Sequence, residues 1–371
     1  MSKALQLVLV AGARPNFMKV APLIRYINAC HARHQDSAVT IAYRFVHTGQ
    51  HYDDNMSDVF FRELGIPGPD LNLGVGSGSH AAQTAQVMMR FEPVLLQDRP
   101  DWVIVVGDVN STLACTLVAA KLGVKVAHVE AGLRSFDRTM PEEINRIVTD
   151  SLADLLLTPS PDADENLRKE GIPDFKVKMV GNIMIDSLVA NLEKARNSPV
   201  LEQLGLMPGN YAYVTLHRPA NVDDAASLTA IAAELNRLAR RMPVVLPMHP
   251  RTRRMLSDFG ISLSANDGLL ILEPIGYHDS IRLTENARFV LTDSGGLQEE
   301  STYFHTPCLT LRPNTERPIT IQLGSNRLTD VRRLATDIQD LLAREPKQGS
   351  IPPLWDGRTA ERILETLSEL A

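Results

Sequence analysis

Asp108, Glu130 and Glu142 are the side chains of this sequence best placed to move protons. Asp108 follows the strand-like run Trp102–Gly107, Glu130 follows Val124–Val129, and Glu142 comes one short loop later. Carboxylates gathered at consecutive strand ends raise one another's pKa, which lets an acid and a base coexist near neutral pH. The pattern points to general acid–base chemistry. Each residue also has a plainer reading. An Asp before a helix is often only its cap. Glu142 and Arg146 share a helix face at i,i+4, an ion pair worth roughly a few tenths of a kcal/mol.

A second group of residues suits an anion. Gly12-Ala13-Arg14-Pro15-Asn16-Phe17-Met18-Lys19 follows the first strand, so Arg14 and Lys19 stand near a helix N-terminus. Helix N-termini favour negative charge. The segment is neither a GxGxxG nor a P-loop pattern and equally fits a solvated turn. Farther on, His217-Arg218-Pro219 and His249-Pro250-Arg251 each put a histidine beside an arginine at a strand end. The sharpest motif is Leu291-Thr292-Asp293-Ser294-Gly295-Gly296-Leu297-Gln298-Glu299-Glu300. Gly295 and Gly296 let backbone N–H groups approach phosphate oxygens, and Ser294 adds a hydroxyl. Glu300 would repel phosphate, so ribose hydroxyls suit it better. Arg312 and Arg317 add two cations. The loop His47-Thr48-Gly49-Gln50-His51-Tyr52-Asp53 reads as polar rather than metal-binding, because its ligands share no helical spacing. Gly74–His80 reads as a glycine-rich loop.

These groups need a scaffold that brings strand ends together. Leu5–Ala11, Tyr43–Thr48, Trp102–Gly107 and Val124–Val129 are short apolar runs. They alternate with helix-like Lys19–Arg33, Asn55–Leu64, Ser111–Leu122 and Glu142–Leu156. The pattern repeats with strands Tyr211–Leu216, Val244–Met248, Leu269–Leu272 and Phe289–Thr292. Helices Ala225–Arg241, Ile275–Asn286 and Gly296–Phe304 belong to this second set. Such alternation implies βαβ units, parallel sheets and an α/β fold of two doubly wound halves. The border falls between Val180 and Gly209, dividing the chain into residues 1–180, residues 181–358 and a terminal helix, 359–371, that can pack on either half. Ligands of such folds bind outside the carboxyl ends of the strands, and a cleft between two domains is the default site.

The 371 residues are 44% hydrophobic and 22% charged, with a net charge of −6, which is ordinary for a soluble globular chain and lacks the bulk basic charge of a nucleic-acid binder. Three widely spaced cysteines, Cys30, Cys115 and Cys308, make no disulfide framework and suit a cytosolic location. The apolar run near the N-terminus reads as a strand rather than a signal peptide, and no run approaches the ~18 apolar residues of a membrane span.

As a set, the motifs resemble the non-hydrolysing UDP-N-acetylglucosamine 2-epimerases. GARPNFMKVAPLI, TGQH, GDVNST, HVEAGLRS, PEEINR, LHR, MHP, DSGGLQEE and TERP occur in the family's order from about Val8 to Leu328. The resemblance implies two Rossmann-like domains in the glycosyltransferase-B arrangement with an interdomain cleft. It implies reversible C2 inversion by anti elimination of UDP, a bound 2-acetamidoglucal and re-addition, with no metal or nicotinamide cofactor. It assigns Asp108, Glu130, Glu142 and His217 to the catalytic set, and Arg14, Lys19, Ser294 and Glu300 to UDP. His249, Gly295, Gly296 and Arg317 complete the substrate-binding set, and a homodimer is implied. In some members a second substrate molecule binds as an activator; Gln50, His51 and His249 match that region, while Pro219 stands where an arginine is frequent. Asn16 and Ala13 also depart from the family's usual Glu and Thr, and Ile319 from its usual Glu. Such departures suit a modified substrate, a UDP-2,3-diacetamido uronic acid. A hydrolysing 2-epimerase, a glycosyltransferase of the same architecture and a non-catalytic nucleotide-sugar sensor are the remaining alternatives.

Overall fold

The computed structural model describes residues 4–32, 40–50, 61, 65–263, 268–343 and 349–371. Two units are distinguished: Met1–Ser187 with Pro353–Ala371, and Leu188–Pro352.

The first unit is built on a sheet whose strands follow the expected runs closely. They are β1 (Leu5–Ala11), β2 (Ile41–His47), β3 (Leu71–Asn72), β4 (Trp102–Val106), β5 (Lys125–Val129), β6 (Leu155–Thr158) and β7 (Val177–Met179). Their order is β3-β2-β1-β4-β5-β6-β7, with every pair parallel. Val8, Val10, Val103 and Val105 are buried in one cluster with Phe91, Ala114 and Cys115, which explains the near-continuous apolar runs. Each of these valines and Phe91 contributes about 1.5–3 kcal/mol relative to exposure. The helices that matter to the site are α1 (Arg14–Ala32), α2 (His80–Asp98), α3 (Asn110–Lys121), α4 (Pro141–Leu152), α5 (Pro161–Lys169) and α6 (Ile183–Arg196).

Two expectations change. α1 starts at Arg14 rather than Lys19, because Pro15 fits the first helical turn. The helix expected over Glu142–Leu156 stops at Leu152: Ala153 is extended, and Leu155–Thr158 is a fully buried strand. A short apolar run does not by itself distinguish a buried strand from a helix end. The helix expected at Asn55–Leu64 lies outside the described residues, apart from Phe61.

The second unit has six parallel strands, β8 (Ala212–Thr215), β9 (Val244–Pro247), β10 (Leu269–Leu272), β11 (Phe289–Thr292), β12 (Cys308–Leu311) and β13 (Asn326–Thr329). Their order is β10-β9-β8-β11-β12-β13. Val214, Leu216, Leu228, Ile231, Leu291 and Leu309 belong to its core. α7 (Ala225–Ala239), α8 (Pro250–Asp258), α9 (Tyr277–Asn286) and α10 (Gly295–Tyr303) accompany this sheet.

In both sheets the strand order reverses direction between two neighbours, β1 and β4 in the first and β8 and β11 in the second. Such switch points open a crevice at the carboxyl ends of the strands. The terminal helix α11 (Thr359–Glu369) belongs to the first unit. Among the described residues no helix is long and apolar enough to cross a membrane.

Candidate active site

At the first switch point, the turn after β1 is clamped by Asn16. Its Oδ1 accepts from the backbone N–H groups of Gly12 and Ala13, both at 3.0 Å, and its Nδ2 donates to the carbonyl of Val106 at 3.1 Å. Gly12 is required by close approach: a Cβ there would lie 2.3 Å from Ser111 Oγ. One turn along α1, Lys19 Nζ pairs with Glu130 Oε2, and both side chains are buried. Gly107 makes that seat, since a Cβ on it would stand 2.7 Å from Lys19 Nζ. Glu130 Oε1 is buried and finds no hydrogen-bond donor among the described residues. A buried carboxylate oxygen in that state is costly in a fold and calls for a ligand or a catalytic role.

Asp108 does not cap α3; the cap position is Val109, which makes no side-chain bond. Asp108 instead pairs with Arg146, whose guanidinium also holds Glu143 through Nε at 3.0 Å and Nη2 at 2.6 Å. Arg146 therefore serves Asp108 and Glu143, and the Glu142–Arg146 pair of the plainer reading does not form. Burial works against ionisation of Glu143, but the Ser135 and Phe136 N–H groups and Arg146 outweigh it and hold its pKa low. Glu142 lies exposed in the first turn of α4. Arg14 opens α1, but its side chain lies outside the described atoms, as does all of His51. Gln50 is buried, and its Oε1 accepts from the backbone and hydroxyl of Ser111 at 3.3 and 2.8 Å. Burial lowers the pKa of His47 to about 4, so its imidazole is neutral at physiological pH.

At the second switch point Asp293, directly after β11, receives the backbone N–H groups of His217 and Arg218 at 3.0 and 2.9 Å and the Asn221 amide at 3.1 Å. His217 Nδ1 lies 2.8 Å from its Oδ1. Burial favours the neutral acid at Asp293, yet His217 and these N–H groups prevail and keep the pKa low. His217 is thus held at one nitrogen while its ring remains part-exposed. The His249 ring lies 5.6 Å away, centroid to centroid. Ser294 occupies the cap position of α10 without a side-chain capping bond. Gly295 admits Arg317, since a Cβ would come within 2.9 Å of Nη1, whereas a Cβ on Gly296 would meet open space. Arg317 reaches Glu299 at 2.6 Å and also pairs with Glu316, while Arg312 bonds Glu316 at 2.7 Å. Burial opposes ionisation of Glu316, but the two arginines hold its pKa far below the usual range. Arg312 Nη1 is buried with no acceptor among the described residues. Glu300 is buried, and that burial pushes its pKa up to about 8.

A family model described as UDP-N-acetylglucosamine 2-epimerase matches residues 33–368. The chain belongs to this epimerase family. It is 40% identical to the UDP-N-acetylglucosamine 2-epimerase of Methanococcus maripaludis, over 96% of each chain. It is 38% identical to the UDP-2,3-diacetamido-2,3-dideoxy-D-glucuronate 2-epimerase of Pseudomonas aeruginosa, over 99% of this chain and 100% of that one. Its structure is similar to that of Methanocaldococcus jannaschii UDP-GlcNAc 2-epimerase in complex with UDP-GlcNAc and UDP, with a TM-score of 0.86 at 39% identity, covering 98% and 100% of the two chains. The fold is two Rossmann-like domains of the glycosyltransferase-B class.

Several residues that shape the site of this epimerase family member escape the reading of strand ends. Asp150, Glu143 and Arg146 lie on one face of α4 and are all buried. Their spacing of three and four residues is the one available signal: a charged stripe where a core face is expected. Asn16 reads as a departure from the family pattern, and its clamping role appears only in three dimensions.

Proposed function

We propose that the chain interconverts UDP-N-acetylglucosamine and UDP-N-acetylmannosamine by elimination and re-addition of UDP. A carboxylate removes the C2 proton as the bond from C1 to the diphosphate oxygen breaks, leaving 2-acetamidoglucal and UDP. UDP then adds back at C1 while a proton returns to the opposite face of C2. The observation that carries the proposal is the pairing of Glu130 with Lys19 through one oxygen while the other, buried, has no donor. Such a carboxylate is fixed in place and retains a free oxygen for a proton. Asp108, steered by Arg146, and exposed Glu142 supply further acid–base groups. In the second unit the Ser294-Gly295-Gly296 turn, His217, His249 and Arg317 bind the diphosphate, and Glu300 the ribose. Arg14 joins the UDP-binding set on its sequence position. Gln50 and His51 are assigned to a second-substrate subsite on the same basis.

The match to the P. aeruginosa protein favours a second reading, in which the sugar is a 2,3-diacetamido uronic acid. Supplying each nucleotide separately distinguishes the two substrates. We place the reaction in the cytosol, in line with three free cysteines, and the chain in a homodimer, in line with its family. Glu130→Gln should lower kcat by roughly 100-fold or more while UDP affinity, read by calorimetry, stays unchanged. Full turnover in this variant rules out the role given to Glu130.

A further inference from the structure

Glu130 is held in an unusual way. Its φ is +70°, a left-handed conformation that a long side chain avoids, and it stands between β5 and a turn. What enforces this lies beneath it. His128, two residues earlier and fully buried, has Nε2 at 2.8 Å from the carbonyl of Gly107 and Nδ1 at 2.6 Å from Asp150 Oδ1. Asp150 Oδ2 accepts from the N–H of Gly132, two residues after Glu130, at 3.0 Å and pairs with Arg134 at 2.7 Å. One buried carboxylate on α4 therefore grips the chain on both sides of Glu130. Through His128 it also fixes Gly107, whose N–H donates to the carbonyl of Val129 at 3.1 Å and whose missing Cβ makes room for Lys19. Gly132 is pressed equally tightly, since a Cβ there would lie 2.5 Å from the carbonyl oxygen of Ala163. Burial disfavours ionisation of Asp150, but His128, Arg134 and the Gly132 N–H hold its pKa low, so the grip is ionic.

We propose that Asp150 and His128 form a clasp of positioning residues that sets the backbone of Glu130 and the seat of Lys19, and so controls turnover without touching substrate. This rests on the role of Glu130 proposed above. The experiment compares Asp150→Asn, Glu130→Gln and the double variant by kcat, KM, UDP affinity and thermal melting. Asp150→Asn should lose roughly 10- to 100-fold in kcat, the scale of a misplaced catalytic group. Its KM and UDP affinity should stay within about twofold, because the groups proposed for the diphosphate and ribose, Arg14 apart, lie in the other unit. The double variant should be no slower than Glu130→Gln alone, since a residue acting only through Glu130 has nothing left to act on. His128→Gln, which keeps a donor for the Gly107 carbonyl but loses Asp150, should fall between the parent and Asp150→Asn. Unchanged kcat in folded Asp150→Asn, or losses that multiply in the double variant, overturn the clasp. So does loss of folding in both Asp150→Asn and His128→Gln, which would make the pair a fold determinant only. Full turnover in Glu130→Gln overturns instead the reading of Glu130, and the clasp with it.

Discussion

Glu300 carries an unusual charge state for a residue assigned to a nucleotide. Burial is the main reason its pKa rises to about 8; Tyr277 works against the shift and the neighbouring Glu299 works with it. The folded pKa exceeds the ordinary value of 4.5, so the folded chain holds a proton that the unfolded chain releases. The associated stability is complete below about pH 4.5 and is lost as pH rises through about 8. Glu300→Gln removes the titration but keeps the shape. Its melting temperature should match the parent at pH 5 and exceed it at pH 9, as read by calorimetry. An equal shift at both pH values contradicts the assignment. The sequence shows Glu300 only as a carboxylate beyond a glycine turn. Its burial, which sets the proton, is a tertiary fact that no local pattern carries.

At the scale of elements, each site is a turn leaving a strand, and the glycines in these turns serve different ends. Gly107 and Gly295 yield space to Lys19 and Arg317, whereas Gly296 faces nothing. Gly296→Ala should therefore fold as well as the parent, since alanine is the better helix former. If phosphate docks on this turn, the added methyl weakens UDP binding by tenfold or more, about 1.4 kcal/mol, by calorimetry. Unchanged affinity with an unchanged melting temperature removes the turn from the UDP site. The strands Leu5–Ala11, Leu269–Leu272 and Phe289–Thr292 are legible residue for residue, because buried parallel strands are short apolar runs closed by polar turns. β6 is not legible, because Leu155-Leu156-Leu157 continues the apolar character of the helix before it. Nor is the partner choice of Arg146. Helical spacing offers Glu142, but Arg146 takes buried Glu143 at i,i+3 and, through the tertiary fold, part-exposed Asp108.

At the scale of the whole molecule, the chain makes two doubly wound sheets in succession and then returns to the first. Alternation of strand and helix announces the two sheets. The return rests on the buried apolar face of α11, with Ile363, Leu364 and Leu367, and on hydrogen bonds that composition does not show. Trp355 Nε1 donates to the carbonyl of Pro159 at 3.0 Å, and Asp186 accepts the N–H groups of Thr359 and Ala360 at 3.0 and 2.8 Å. Asp186→Ala leaves those two donors buried and unmet at the start of α11. It should cost about 1–2 kcal/mol and lower the melting temperature by roughly 2–4 °C per kcal/mol. An unchanged melting curve shows that α11 is secured elsewhere. The central claim concerns the chain as a catalyst, and proton NMR of the purified protein with UDP-N-acetylglucosamine in D₂O tests it most directly. The account predicts UDP-N-acetylmannosamine carrying deuterium at C2; accumulation of free N-acetylmannosamine and UDP, or product that retains its C2 proton, would contradict it.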